Sequence, residues 1–164
     1  MRTASSILAL LTLAGSFLLF TACETGSETT ISGPGPNDPA TVTLTFRNLG
    51  TGAWIVTQAQ GGDGVVNTGT ENPTLRLTEG VRVVVENEAG VSSHPFAFQG
   101  PDGTILLNQR DGGGSLSNEP DINFTADDDG VAFTFTRSLS EEVATYNCLN
   151  HPDMEGTVVS ADEE

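Results

Sequence analysis

From Thr41 onward the apolar residues come in short runs that alternate with polar ones, and no stretch holds a helical period for long. Thr41-Val-Thr-Leu-Thr-Phe46 alternates hydroxyl and apolar side chains, as a strand with one buried face does. Similar runs follow at Ala53–Thr57, Thr74–Leu77, Val81–Glu86, Phe96–Phe98, Ile105–Leu107, Ile122–Phe124, Val131–Thr136, Val143–Tyr146 and Gly156–Val159. Turn residues separate them, Glu79-Gly80 and Gly100-Pro-Asp-Gly103 among them. The chain spends 19 Gly and 8 Pro on such punctuation, which disfavours a helical bundle. A length of 164 residues suits one domain with appendages. An all-β, antiparallel β-sandwich is therefore expected, with no internal repeat and no coiled-coil pattern.

Residues 1–22 read as a signal peptide. Arg2 precedes an apolar stretch, Ile7 to Ala22, whose 16 residues fall short of the about 20 that a membrane span needs. The stretch ends Phe20-Thr21-Ala22-Cys23, and small residues directly before a cysteine resemble the lipobox of bacterial-type lipoproteins. Phe20 stands where an aliphatic residue is usual. The resemblance implies that Cys23 becomes the new N-terminus and carries a lipid. The plainer alternative is signal cleavage near Ala22 with Cys23 left as a free thiol. Lipidation is the expectation, because a bare thiol at an exported N-terminus is otherwise hard to explain. Glu24 to Ala40 is rich in Gly, Pro, Ser and Thr, with almost nothing to bury. Residues 23–40 then form a lipid-anchored flexible linker of roughly 20–25 Å r.m.s. span. Residues 41–164 form the folded domain with a short acidic tail. The localisation expected is an exported, membrane-anchored protein facing the periplasm or the cell exterior.

The formal charge of the whole chain is −16, which argues against binding nucleic acid or an anionic membrane surface through charge. From Cys23 on, five Arg (47, 76, 82, 110 and 137) stand against 22 acidic residues, and there is no Lys. A negative surface can steer a basic partner. It also keeps a protein soluble in molar salt, where a Debye length of about 3 Å removes steering. The high-salt, halophilic explanation is the simpler of the two.

Very few residues can carry chemistry. With Cys23 set aside, every remaining thiol, imidazole and thioether of the mature chain falls into one ordered set: His94, then Cys148-x-x-His151-x-x-Met154. Two imidazoles, one thiolate and a weak axial thioether are the ligands of a blue-copper electron-transfer centre. The spacing suits a strand–loop–strand corner that places three ligands around one point, with His94 arriving from a distant strand. Both histidines precede proline (Pro95 and Pro152), which restrains their backbones toward extended conformations. Zinc is the rival metal, but its structural sites take four strong Cys, His or carboxylate ligands, and Met is a poor one.

These residues resemble a known family. His94, Tyr146-x-Cys148-Leu-Asn-His151-Pro-Asp-Met154 and the following Gly156-Thr-Val are similar to the cupredoxins, the plastocyanin, pseudoazurin and amicyanin family. The short Cys-x-x-His-Pro-x-Met segment is nearest in form to amicyanin. Asn72-Pro-Thr-Leu-Arg-Leu-Thr-Glu-Gly80, with Ser-His94-Pro-Phe, also resembles less characterised cupredoxin-like domains with a His-Pro-Phe signature. The resemblance covers roughly Thr41 to Ser160. It implies a Greek-key sandwich of cupredoxin type holding one copper ion, with His94, Cys148 and His151 as equatorial ligands and Met154 as the axial one. It further implies that electrons pass through a partly exposed His151, ringed by apolar residues such as Leu149 and Pro152. One departure stands out. Where plastocyanin-like members carry Asn after the first ligand histidine, with its N–H toward the thiolate, Pro95 has no N–H to give. A sulfur hydrogen bond is therefore expected to be missing, and since such bonds tune a metal, the family's redox potential does not carry over. Asp153 and Glu155 bring negative charge beside Met154.

Other motifs are read as structural. Gly61-Gly-Asp-Gly64 and Gly112-Gly-Gly114 lack phosphate-loop spacing. Asp127-Asp-Asp129 before Gly130 reads as a solvated turn rather than a calcium loop. The Asn123-Phe-Thr125 sequon lies in a strand-like run and is taken as fortuitous, while Trp54 and Tyr146 are expected to point inward. With both histidines spent on the metal, an enzyme is not expected. The expected function is a monomeric, single-copper electron carrier cycling Cu(II)/Cu(I), with a cytochrome or a copper or haem oxidase as redox partner. The alternatives are a copper-sequestering or copper-delivery lipoprotein using the same ligands, and a metal-free adhesive sandwich.

Overall fold

The computed structural model describes residues 40–163 apart from Asp63. The expected signal peptide, the lipid-bearing Cys23 and the linker up to residue 39 lie outside the described residues.

The described chain is all-β, with two five-stranded sheets. One sheet contains β1 (Thr41–Leu49), β2 (Ala53–Gln60), β4 (Arg82–Asn87), β7 (Thr125–Ala126) and β8 (Gly130–Thr134), in the order β2-β1-β4-β8-β7. The other contains β3 (Leu75–Leu77), β5 (Phe96–Gln99), β6 (Ile105–Asn108), β9 (Thr145–Cys148) and β10 (His151–Ser160), in the order β3-β10-β9-β5-β6. Alternation in β1 buries Val42, Leu44 and Phe46, and in β3 it buries Leu75 and Leu77. Aromatic side chains join the two sheets. Phe46 of β1 meets Phe96 of β5 edge-on at 5.2 Å and Tyr146 of β9 at 5.4 Å, and Phe98 meets Phe133 at 4.9 Å. Edge-to-face pairs of this kind add to the gain from burial alone.

The pairing departs from the expected antiparallel pattern in one respect: each sheet contains a parallel pair. β1 runs parallel to β4 over Thr41–Phe46 and Arg82–Asn87, and β3 runs parallel to the end of β10. Hairpins reverse direction at each turn, but between β2 and β4 the chain crosses to the other sheet to form β3. It returns in the same sense as β1, so the neighbours match in direction.

Local differences have local causes. Ile122–Phe124 is not a strand. Asn123 takes a left-handed φ of 47°, which turns the chain before β7. A six-residue helix, α1 (Arg137–Glu142), precedes β9. Thr136 caps it, its hydroxyl accepting from the Leu139 N–H, and buried Leu139 fixes it to the core. So short a helix with one apolar anchor leaves no periodicity to read.

Phe46 is fully buried and touches Trp54, Phe96 and Tyr146. Phe46→Ala should destabilise the protein by about 3–5 kcal/mol in denaturant unfolding. A loss well under 1 kcal/mol would mean that these rings do not join the sheets.

Candidate metal centre

The centre is built on the register of β9. Cys148 lies opposite Phe96 of β5 on one side and His151 of β10 on the other. Tyr146, two residues earlier, shares its face and stacks on Phe96 with ring planes 10° apart. Between β9 and β10 the chain turns through Leu149 and Asn150 alone. Asn147 is then paired with Glu155, so residues 152–154 form a three-residue bulge in β10. His151 is thus the first residue of a strand rather than part of an open loop, and the bulge carries Met154 back into the interior. His94 comes from the turn after Gly90, not from a strand, with its N–H donating to the Gly90 carbonyl at 2.8 Å.

These elements bring together the side chains expected to act together. Cys148 Sγ lies 3.4 Å from His151 Nδ1 and 3.8 Å from His94 Nδ1, and donor atoms of all three residues fall within 4.8 Å of one another. The imidazole centroids are 4.6 Å apart. Met154, fully buried, lies near them. The chemistry of the donor set can be tested against this geometry. Metal bonds of about 2.0 Å to imidazole and about 2.3 Å to thiolate, at trigonal to tetrahedral angles, put nitrogen and sulfur roughly 3.5–3.8 Å apart. The observed separations match, so the residues fit a metal ion without rebuilding the backbone. Burial, and secondarily the charge of His151, lowers the pKa of His94 and favours the neutral imidazole that a metal requires.

Exposure is graded across the group. His94 and Cys148 are buried, His151 and Leu149 are half-buried, and Pro152 is exposed. The donor set therefore reaches the surface on the side of His151, Leu149 and Pro152. Asp153 and Glu155 are exposed beside it.

Amide side chains hold the surrounding backbone, and these the sequence reading did not single out. Asn87, buried at the end of β4, donates to the His94 carbonyl at 2.8 Å and to Gln109 Oε1 at 2.7 Å. Gln109 Oε1 also accepts the Phe96 N–H. Asn150 donates to the Ser93 carbonyl at 2.8 Å and accepts from Arg110, which ties the two ligand-bearing turns together. Asn72 accepts the Trp54 N–H and donates to the Asp153 carbonyl at 3.0 Å, pinning the bulge before Met154. Its left-handed φ of 45° suits asparagine, and the Asn-Pro dipeptide at 72–73 is the kind of local sequence signal that such a turn leaves. Pro95 gives no N–H, but its carbonyl accepts from Leu149 at 3.1 Å. Gly156 has to be glycine, since a Cβ there would fall on the Tyr146 hydroxyl.

The all-β fold and the close His94–Cys148–His151–Met154 group are compatible with a cupredoxin centre. The chain matches no family model and no curated protein.

Tyr146 offers a test of the packing under the site. Its hydroxyl donates to the Pro73 carbonyl at 2.6 Å, and burial raises its pKa far above the usual phenol value. Below about pH 10 the phenol is neutral in both folded and unfolded chains, so it adds no pH dependence. Above that, the unfolded chain ionises first, and stability should fall by about 1.4 kcal/mol per pH unit. The protein has one Tyr and no Lys, and its two cysteine thiols, with an ordinary pKa of about 8.5, are common to wild type and Tyr146→Phe, so the difference between the two isolates the phenol. Denaturant unfolding between pH 9 and 11.5 should show this slope in the wild type and a much smaller one in Tyr146→Phe. Equal slopes in the two proteins would contradict the buried phenol.

Proposed function

We propose that this protein is a single-copper electron carrier of the cupredoxin kind. One observation carries the reading: a thiolate and two imidazole nitrogens converge at separations that match a metal's bonds, with a buried thioether nearby. Only three strong donors converge among the described residues, and the fourth nearby is a thioether. That favours copper over structural zinc, which takes four strong ligands. Bound there, copper would supply a one-electron couple between its +2 and +1 states.

The chain's own residues do the rest. His94, Cys148 and His151 would hold the ion, with Met154 as a weak further ligand. Burial of His94, Cys148 and Met154 would shield a bound ion from water. Half-buried His151, with Leu149 and Pro152, is the short path between the ion and a redox partner. Tight backbone clamping limits the movement that a change of charge would demand, which is what fast electron exchange needs. The partner would be a cytochrome or a copper or haem oxidase. A lipid on Cys23 and the linker after it would tether the domain to a membrane, facing the periplasm or the cell exterior. In this role the protein passes electrons and transforms no substrate.

Copper titration of the protein, watched by visible absorption and electron paramagnetic resonance, tests the reading. One equivalent of Cu(II) should produce an intense thiolate-to-copper band that reductant bleaches and oxidant restores. Cys148→Ser should abolish the band and leave the fold intact by circular dichroism. A folded wild type with reduced Cys148 and no such band would overturn the proposal.

A further inference from the structure

His94 can present either ring nitrogen to a metal, and a half-turn of the imidazole would exchange them. Its ring neighbours do not choose. Trp54 packs against it edge-on at 6.1 Å and His151 lies alongside at 4.6 Å, and both are contacts with the ring as a whole. The nitrogens themselves differ. Nδ1 faces Cys148 Sγ, while Nε2 lies 3.2 Å from the side-chain amide of Asn48. Asn48 is the penultimate residue of β1, paired with Trp54 of β2, so its backbone is fixed by the ladder. The same amide nitrogen donates to the Gly50 carbonyl at 3.0 Å, in the exposed turn that joins β1 to β2.

We propose that Asn48 is the positioning residue of the centre, holding the His94 ring by Nε2 so that Nδ1 is the nitrogen aimed at the metal. The inference rests on the copper reading above for its consequences at the metal, but its geometry exists in the metal-free protein. Without metal, the Asn48 N–H donates to His94 Nε2, and His94 carries its proton on Nδ1, facing the Cys148 sulfur. A metal on Nδ1 displaces that proton and obliges Nε2 to carry one, because a neutral imidazole has one N–H. Nε2 then needs an acceptor. Rotation of the Asn48 amide supplies Oδ1 and releases Gly50, whose exposed carbonyl turns to water. Ligand histidines generally donate their second N–H to a fixed acceptor, and loss of that partner costs about 10–100-fold in metal affinity.

The experiment compares wild type, Asn48→Leu and Asn48→Asp, each full-length and labelled with 15N. In the metal-free proteins, imidazole 15N shifts report which nitrogen of His94 is protonated. Wild type should show one tautomer, protonated on Nδ1. Asn48→Asp, which can only accept, should move the proton to Nε2, and Asn48→Leu should show a mixture. With copper, Asn48→Leu should bind about 10–100-fold more weakly, with an altered paramagnetic resonance spectrum. Asn48→Asp should keep the copper and lower its reduction potential, since added negative charge favours Cu(II). In wild type loaded with Cu(I), the amide signals of Asn48 and Gly50 should move. One His94 tautomer shared by all three proteins would overturn the proposal, as would wild-type copper affinity and spectrum in Asn48→Leu. Should the leucine variant not fold, the nearly isosteric aspartate variant decides alone. If wild type forms no thiolate–copper band, the electron-carrier reading fails, and the metal-free tautomer comparison still judges Asn48.

Discussion

Cys148 sits in the ladder between Phe96 and His151, and the rest of the site depends on that register. In a sheet, a slip of one residue would turn Cys148 and Tyr146 to the other face and put the polar Asn147 against Phe96 and Phe46 in their place. The register is fixed by bulk. Tyr146 stacks on Phe96, both pack on Phe46 from the opposite sheet, and the Tyr146 hydroxyl reaches the Pro73 carbonyl. Glycine at 156 leaves the room that this hydroxyl needs. The aromatic core that stabilises the sandwich is thus the same set of contacts that aims the thiol.

Around that fixed point, the other donors are held by backbone rather than by loops of loose chain. A two-residue turn and a three-residue bulge bring His151 and Met154 back beside Cys148. Asn87 with Gln109, Asn150 with Arg110, and Asn72 each grip a main-chain carbonyl next to a donor residue. Buried amide networks with both partners satisfied confer rigidity and a unique geometry. For a one-electron carrier such rigidity has a purpose, because a ligand set that already fits needs little rearrangement when the charge of the ion changes.

Much of this is legible in the sequence. The strands of the core follow from alternation, as in Val42-Leu44-Phe46, and the four donors stand out because residues 41–164 hold no other Cys, His or Met. What the sequence hid has a physical reason in each case. The parallel pairs arise from a crossing between sheets, which no local pattern records. Helix α1 is too short to show a period, and the bulge at 152–154 is a matter of register against β9. The amide clamps join residues distant in the chain, Asn72 with Asp153 and Asn48 with His94, and a lone asparagine carries no sign of a partner so far away. In the sequence Pro95 signifies only a missing N–H, whereas in the structure its carbonyl ties the two ligand segments together.

The central claim is that these residues hold one copper ion in a geometry that serves both oxidation states. X-ray absorption at the copper edge, taken on the oxidised and the reduced protein, tests it most directly. The account predicts one sulfur and two imidazole nitrogens as close neighbours in both states, with only small changes in bond length between them. A close shell of oxygen and nitrogen without sulfur, or a change in ligand number on reduction, would contradict it.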